Sequence, residues 1–319
     1  MKARDGRILI DFMRGRRVAA VLSLLAVLTA IGSLATRGLE FGLDFTSGTS
    51  VRLGFPDTAP IDQIGAQLDG AGYGDAVVVN FGSDRDIRVL LPIDPGIGAA
   101  NEAEQAALTG EAIAALLRDG IDPGVILLGS DYVSAKVGEE LAEQGGLGML
   151  VALGIIMLYI SVRFQFKFSV GAVVALAHDL LITLGIFSLS GMEFNLNTLA
   201  ALLAIIGYSL NDTIVVSDRI RENFRALRKT EPVDTVNISL NQTLGRTMIT
   251  SFTTLLVLFS ILLIGGESTQ GFAIALIIGV IVGTYSSIYV ASNVIIFMKV
   301  TREDLLVPVK EDAEADSVV

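Results

Sequence analysis

The 319-residue chain has no cysteine, one histidine and seven prolines. Without cysteine there is no disulfide framework, no thiol nucleophile and no thiolate-held metal. A single histidine, His178, excludes a histidine-rich metal site. No Gly-rich phosphate loop, metal-ligand cluster or nucleophile–base–orienter arrangement is legible. An enzyme, a bound cofactor and ATP binding are therefore not expected. No basic patch is interleaved with aromatics, so nucleic acid is not an expected partner. Every proline lies outside the long apolar runs, so any break inside those runs would need glycine or polar residues.

What the chain has in abundance is apolar surface: 52% of residues are hydrophobic and the mean hydropathy is +0.64. That places it with membrane proteins. The net charge of −11 hides a segregation. Residues 1–17 hold six Lys/Arg against two Asp, whereas residues 37–143 hold 18 Asp/Glu against six Lys/Arg. An apolar run, Val18 to Ala35, follows the basic start. Ser33-Leu34-Ala35 resembles a cleavage site, but the run exceeds the roughly 7–15 residues of a signal-peptide core, so it reads as a first spanning helix over 18–36. Five more spans are expected at about 147–162, 168–189, 197–217, 244–265 and 272–298, followed by a tail over 299–319. Arg163, Lys167, Arg219, Arg221, Arg225, Arg228, Lys229, Lys299 and Arg302 all fall in loops on the side of the N-terminus. The loops near 190–196 and 266–270 carry no Lys or Arg. The positive-inside bias then sets both termini in the cytoplasm.

Between the first and second spans, residues 37–143 read as one small exported domain. Val51–Phe55 is a strand and Ile61–Ala71 a helix. Ala76–Phe81 and Ile87–Leu91 are two strands around Gly82-Ser83-Asp84. Glu102–Leu117 is a helix and Val125–Leu128 a last strand. The order βαββαβ is the ferredoxin-like split β-α-β pattern. The expected fold class is thus an α-helical polytopic membrane protein of six helices, N-in and C-in, with an exported α+β ferredoxin-like domain after the first. Asp44, between Leu43 and Phe45, is singled out there; its plain reading is a solvated turn or strand-end carboxylate.

Ionisable groups inside the spans cost free energy, roughly 2.5–3.5 kcal/mol each on insertion scales, and need a reason. His178 and Asp179 lie mid-way along the third span, Asp212 on the fourth and Arg246 near the start of the fifth. Asp212 is about five residues from the cytoplasmic end of its span and Arg246 lies in the first turn of its own, so axial rise places the two at similar depth. A carboxylate beside a guanidinium that can move away takes up and releases protons. The plain alternatives are a static buried pair, an interfacial anchor for Arg246 and a satisfied core histidine for His178. Asn211, Thr247 and Asp218 are the polar neighbours kept as supporting candidates. Gly279 and Gly283 read as a helix-packing face. The charged run from Asp218 to Lys229 reads as a solvated amphipathic helix.

Five stretches resemble one family: FGLDFTSGT at Phe41–Thr49, AHDLLITLG at Ala177–Gly185, IGYSLNDTIVVSDRIRENFR at Ile206–Arg225, NQTLGRTMITSFTTLLVL at Asn241–Leu258 and GTYSSIYVAS at Gly283–Ser292. They are similar to the SecF family, the smaller membrane subunits of the bacterial SecD–SecF export complex in the RND superfamily. The resemblance implies a Sec translocase accessory in the bacterial inner membrane, driven by the proton gradient, with SecD, the SecYEG channel, YajC and the unfolded translocating polypeptide as partners. It implies proton relay at Asp212 and Arg246, and a motif role for Asp44 and Gly48, with Ser47 standing where a second glycine is usual. The competing functions are an RND-type transporter of small molecules or lipids, for which one insert of about 100 residues leaves little room, and a purely structural partner of SecD.

Overall fold

A computed structural model of the chain describes residues 10–42, 44–45, 48–74, 76–81, 83–92, 102–133, 135–163, 166–227 and 229–300. The basic start before Ile10, Leu43, Ser47, Gly82, Arg228 and the tail with Arg302 lie outside the described residues. Among the described residues, six helices are long and apolar enough to cross a membrane.

Helix α1 (Arg16–Thr36) follows a 3-10 turn, Phe12–Gly15, whose entry Asp11 caps through Arg14 N–H. Its flank of Val18, Val21, Leu22, Leu25 and Leu28 is more than half exposed. A surface so apolar belongs against lipid. Strand β1 (Glu40–Phe41) leads into the α/β domain: β2 (Gly48–Gly54), α2 (Ile61–Gly70), β3 (Val77–Asn80), β4 (Asp86–Pro92), α3 (Glu102–Gly120) and β5 (Ile126–Val133). These elements match the expected order, with ends shifted by a few residues. Sheet order is β3-β4-β2-β5 with every neighbour antiparallel. Alternation puts Val51, Leu53, Ile87, Val89 and Leu91 on one face, where Ile64, Leu68, Ile113 and Leu117 close the core. The opposite face carries Arg52 and Arg88 directly across from each other. Their repulsion is relieved by Asp131, 3.8 Å from Arg52, and by the Phe81 ring, 3.9 Å beneath Arg88.

The chain returns through α4 (Ala135–Arg163), α5 (Phe166–Ser190), the short strand β6 (Glu193–Phe194), α6 (Leu196–Ala226), α7 (Pro232–Ile264) and α8 (Glu267–Ser286). A five-residue π-turn, Ser287–Ala291, joins α8 to α9 (Ser292–Phe297). α5 and α6 form the buried middle of the bundle. Small residues let helices approach closely: Gly279 lies against Ile205, Gly283 against Ser209 and Gly185 against Ala30. The GxxxG of α8 is thus a packing face, as its spacing predicts.

Three helix ends depart from the hydropathy reading, the first being α4, which begins at Ala135 and not near residue 147. α6 runs on to Ala226 and α7 begins at Pro232, so the expected ends at Ser217 and Leu244 fall inside longer helices. Hydropathy marks where a helix meets water, not where it stops. The polar extensions of α6 and α7 pair with each other by burying Ile220, Phe224, Val236 and Leu240 in one cluster with Met13. Pro232 supplies the preset φ of a first helical turn.

Candidate functional site

The site is assembled on α6. Asp212 is 2% exposed, and its Oδ2 has no hydrogen-bond partner among the described residues. Two hydroxyls close by in the fold, Thr213 on α6 and Thr247 on α7, are likewise buried and unpartnered. The helix register explains the grouping. Tyr208 Oη donates to Ser251 Oγ at 3.2 Å, and Asn223 Nδ2 donates to Ser239 Oγ at 2.8 Å. With α6 and α7 antiparallel, one turn along from Tyr208 and Ser251 brings Asp212 level with Thr247. A carboxylate oxygen and two hydroxyls, buried and unsatisfied together, make a polar pocket suited to water or a transferable proton.

Arg246 is on the adjacent turn of α7 but is exposed, and no hydrogen bond or ion pair joins it to Asp212. It acts on Asp212 as a Coulombic neighbour. The depth estimate placed the two together; it carried no information about the direction in which Arg246 leaves its helix. Arg246 instead opens on a cavity of about 410 Å³ with Tyr159, Arg163, Asp218, Glu222 and Thr243. Asp218 therefore belongs to this cavity and not to the buried pocket. Asn211 is exposed, about 100° around α6 from the buried Asp212.

A second ionisable centre lies one turn away. Asp179 on α5 is fully buried. Its Oδ2 accepts from Ser209 Oγ of α6 at 2.6 Å and from Ser286 Oγ of α8 at 2.8 Å. Its Oδ1 lies 3.0 Å from His178 Nδ1. His178 stacks on Tyr285, with centroids 6.1 Å apart, and Tyr285 Oη donates to Ala19 O of α1 at 2.9 Å. Asp179 thus ties α5, α6 and α8 together just before the π-turn. Ser286 and Tyr285 are site residues that the sequence reading does not single out. The usable signal was Ser209 three residues before Asp212 on one helix face, plus a serine pair after Gly283.

At the far end of α6, Asp44 has a defined task. Its Oδ2 accepts from Leu196 N–H at 2.9 Å, while Asn195 caps Thr198 N–H at 3.0 Å. A carboxylate at a helix N-terminus satisfies an orphan donor and suits the macrodipole. Asp44 is a partly exposed turn residue, and it also caps the helix that carries Asp212. Around it β1 pairs in parallel with β6, and Phe41, Phe45 and Phe194 stack together. Burial raises the Glu193 carboxyl above its ordinary value; a hydrogen bond from Asn195 opposes this, Asp44 adds to it and Arg88 opposes it. Burial lowers Arg88 in turn, against the pull of Asp44. Gly48 opens β2, buried, opposite Pro92 and Val133.

Residues 116–301 match the family "Protein export membrane protein SecD/SecF, C-terminal", and residues 32–55 match the "SecD/SecF GG Motif". Protein translocase subunit SecF of Pseudomonas aeruginosa is 47% identical over 96% of this chain and 97% of its own. The chain belongs to the SecF family. The SecF of Escherichia coli O157:H7 is 40% identical over 98% of this chain and 94% of that one. The crystal structure of SecDF from Thermus thermophilus, described as a translocon-associated membrane protein, superposes with a TM-score of 0.77 at 37% identity. It covers 92% of this chain, which spans 39% of that longer one. With this family and six apolar helices, the chain is a multi-pass membrane protein of the Sec export system and not an enzyme.

Proposed function

We propose that this SecF-family chain couples proton movement to polypeptide export across the bacterial inner membrane, with Asp212 as the proton-carrying group and Arg246 as the charge that modulates it. The observation that carries this reading is the buried Asp212 carboxylate, whose Oδ2 has no partner, beside Thr213 and Thr247 and within the field of Arg246. A carboxylate that serves packing alone would be fully hydrogen-bonded. This one has an acceptor to spare. Arg246 faces a cavity, so it can approach or leave Asp212 by a change of rotamer.

An orientation with both termini inside is supported by the basic residues at one end of the bundle, from Arg14, Arg16 and Arg17 to Lys299. The ferredoxin-like reading of the α/β domain is supported by its strand order and all-antiparallel neighbours. A SecD-type partner is supported by Leu203, Gly207 and Asn211, which lie uncovered at i, i+4 and i+8 along α6. Asn211 then serves that interface and not the proton pocket. SecYEG, YajC and the emerging polypeptide are the further partners of this reading, and the α/β domain is the part placed to meet the chain outside. No cofactor beyond the proton gradient is required.

The test is gradient-dependent export in cells whose own copy is replaced. Asp212→Asn and Arg246→Met should each abolish the stimulation at native expression level. Normal export by either variant would sink the relay assignment.

A further inference from the structure

We propose that Asp179 is a second proton-carrying carboxylate, fed through His178 and in series with Asp212 along one face of α6; this rests on the proton-coupled reading above. Four observations carry it. Asp179 is fully buried, and each oxygen has a defined partner: His178 on Oδ1, Ser209 and Ser286 on Oδ2. His178 is 5% exposed, and its Nε2 has no partner among the described residues. The same histidine borders a largely apolar cavity of about 380 Å³ between α1, α5 and the π-turn, where Ser23, Tyr289 and Asn293 are the polar side chains beside it. Finally, Ser209, which donates to Asp179, sits three residues before Asp212, about 4.5 Å of axial rise along the same helix.

The proton balance closes on these atoms. A proton arriving at His178 Nε2 is matched by release of the Nδ1 proton to Asp179 Oδ1. The imidazole ends neutral in its other tautomer, and the carboxylate becomes the acid. Rotation of that acid, or of the Ser209 hydroxyl, presents a proton to the unpartnered Asp212 Oδ2 one turn on. The ionisable groups around Asp179 are His178 on α5, Asp212 on α6, Tyr285 on α8, Tyr289 of the π-turn, which packs on Tyr285, and, beyond Asp212, Arg246 on α7. α1 brings Ser23 to Tyr285 and no charge. α4 carries no ionisable side chain from Gln144 to Leu158. A carboxylate kept for packing alone could be replaced by its amide, which has the same shape and still accepts from the serines. A relay could not.

The experiment uses the full chain reconstituted with its SecD-type partner in sealed vesicles holding a pH-sensitive dye, with proton flux followed across the neutral range. Asp179→Asn should reduce flux by about a hundredfold or more, as loss of a proton-transfer group does, while the complex still assembles. If Asp179→Asn conducts like the unsubstituted complex while Asp212→Asn does not, Asp179 is a packing residue and only this inference falls. If Asp212→Asn conducts normally, the proton-coupled reading falls and takes this one with it. Should Asp179→Asn fail to reach the membrane, Ser209→Ala and Ser286→Ala decide. Each keeps the carboxylate, removes one donor and should displace the pH midpoint of flux; unchanged midpoints in both overturn the proposal.

Discussion

Replacing Gly185 by alanine is a sharp test of how α1 is held. A Cβ built on Gly185 would sit 2.3 Å from Ala30 Cβ and 2.7 Å from Ala30 Cα. Ordinary carbon contacts are about 3.5–4.0 Å, so the helices must part by more than about 1 Å. Such overpacking costs about 1–3 kcal/mol. One turn further on, the Ser33–Ser188 hydrogen bond of 2.7 Å would be stretched until it is lost, which adds about 0.6 kcal/mol on membrane-protein averages. Against this, alanine gains roughly 1 kcal/mol of helix propensity over glycine. The net expectation is a loss of about 0.6–2.6 kcal/mol. Gly154, with nothing within 4 Å of its built Cβ, supplies the control: Gly154→Ala should stabilise or do nothing. The assay is unfolding in mixed micelles followed by far-UV circular dichroism, run as a double-mutant cycle with Ala30→Gly. The pair Ala30→Gly/Gly185→Ala should recover part of the loss, because the Ala30 Cβ is removed while its Cα, 2.7 Å from the new methyl, stays. Wild-type stability for Gly185→Ala, or no rescue by Ala30→Gly, would refute the contact.

Two further outcomes follow from the joint between the α/β domain and α6. Asp44→Ala should cost only about 1 kcal/mol of stability, the worth of one exposed cap, in the same unfolding assay. It should leave vesicle proton flux intact while lowering export, because Asp44 ties the domain's root to α6; unchanged export removes that role. For Glu193, burial raises the folded-state value above the ordinary 4.5. The folded form therefore favours the neutral acid, and Glu193 contributes most below the ordinary value and less as pH rises through the raised one. Glu193→Gln should accordingly flatten the stability–pH curve of the purified protein in the window above pH 4.5; a steeper curve contradicts the sign.

Much of this was legible in the residues for identifiable reasons. Burial against lipid demands long apolar runs, so all six spans could be read from hydropathy. A half-buried sheet demands alternation, so Val51–Leu53 and Ile87–Leu91 announced themselves as strands. The cost of a carboxylate among apolar residues pointed to Asp212 and Asp179. What could not be read was direction around a helix axis and partnership across sequence. Arg246 shares the depth of Asp212 but leaves its helix on another side. Asp44 caps a helix 152 residues away. Asn237 and Asn241 hold the main chain of Phe12 and Ile10 against α7 through contacts no local pattern encodes.

The π-turn at Ser287–Ala291 carries a consequence for how this helix can change. An α-helix turns about 100° per residue, so one extra residue lets the two halves be phased independently. Above the turn Ser286 reaches Asp179; below it Asn293 Nδ2 donates to Arg16 O at 3.0 Å, and Ile295 packs against Gly171. Deleting one residue of the turn would restore a regular helix yet rotate one half against the other. Either Ser286 or the Asn293–Ile295 face could then keep its address, but not both. The irregularity works as a clutch, letting a single helix serve two partners that a straight one could not reach together.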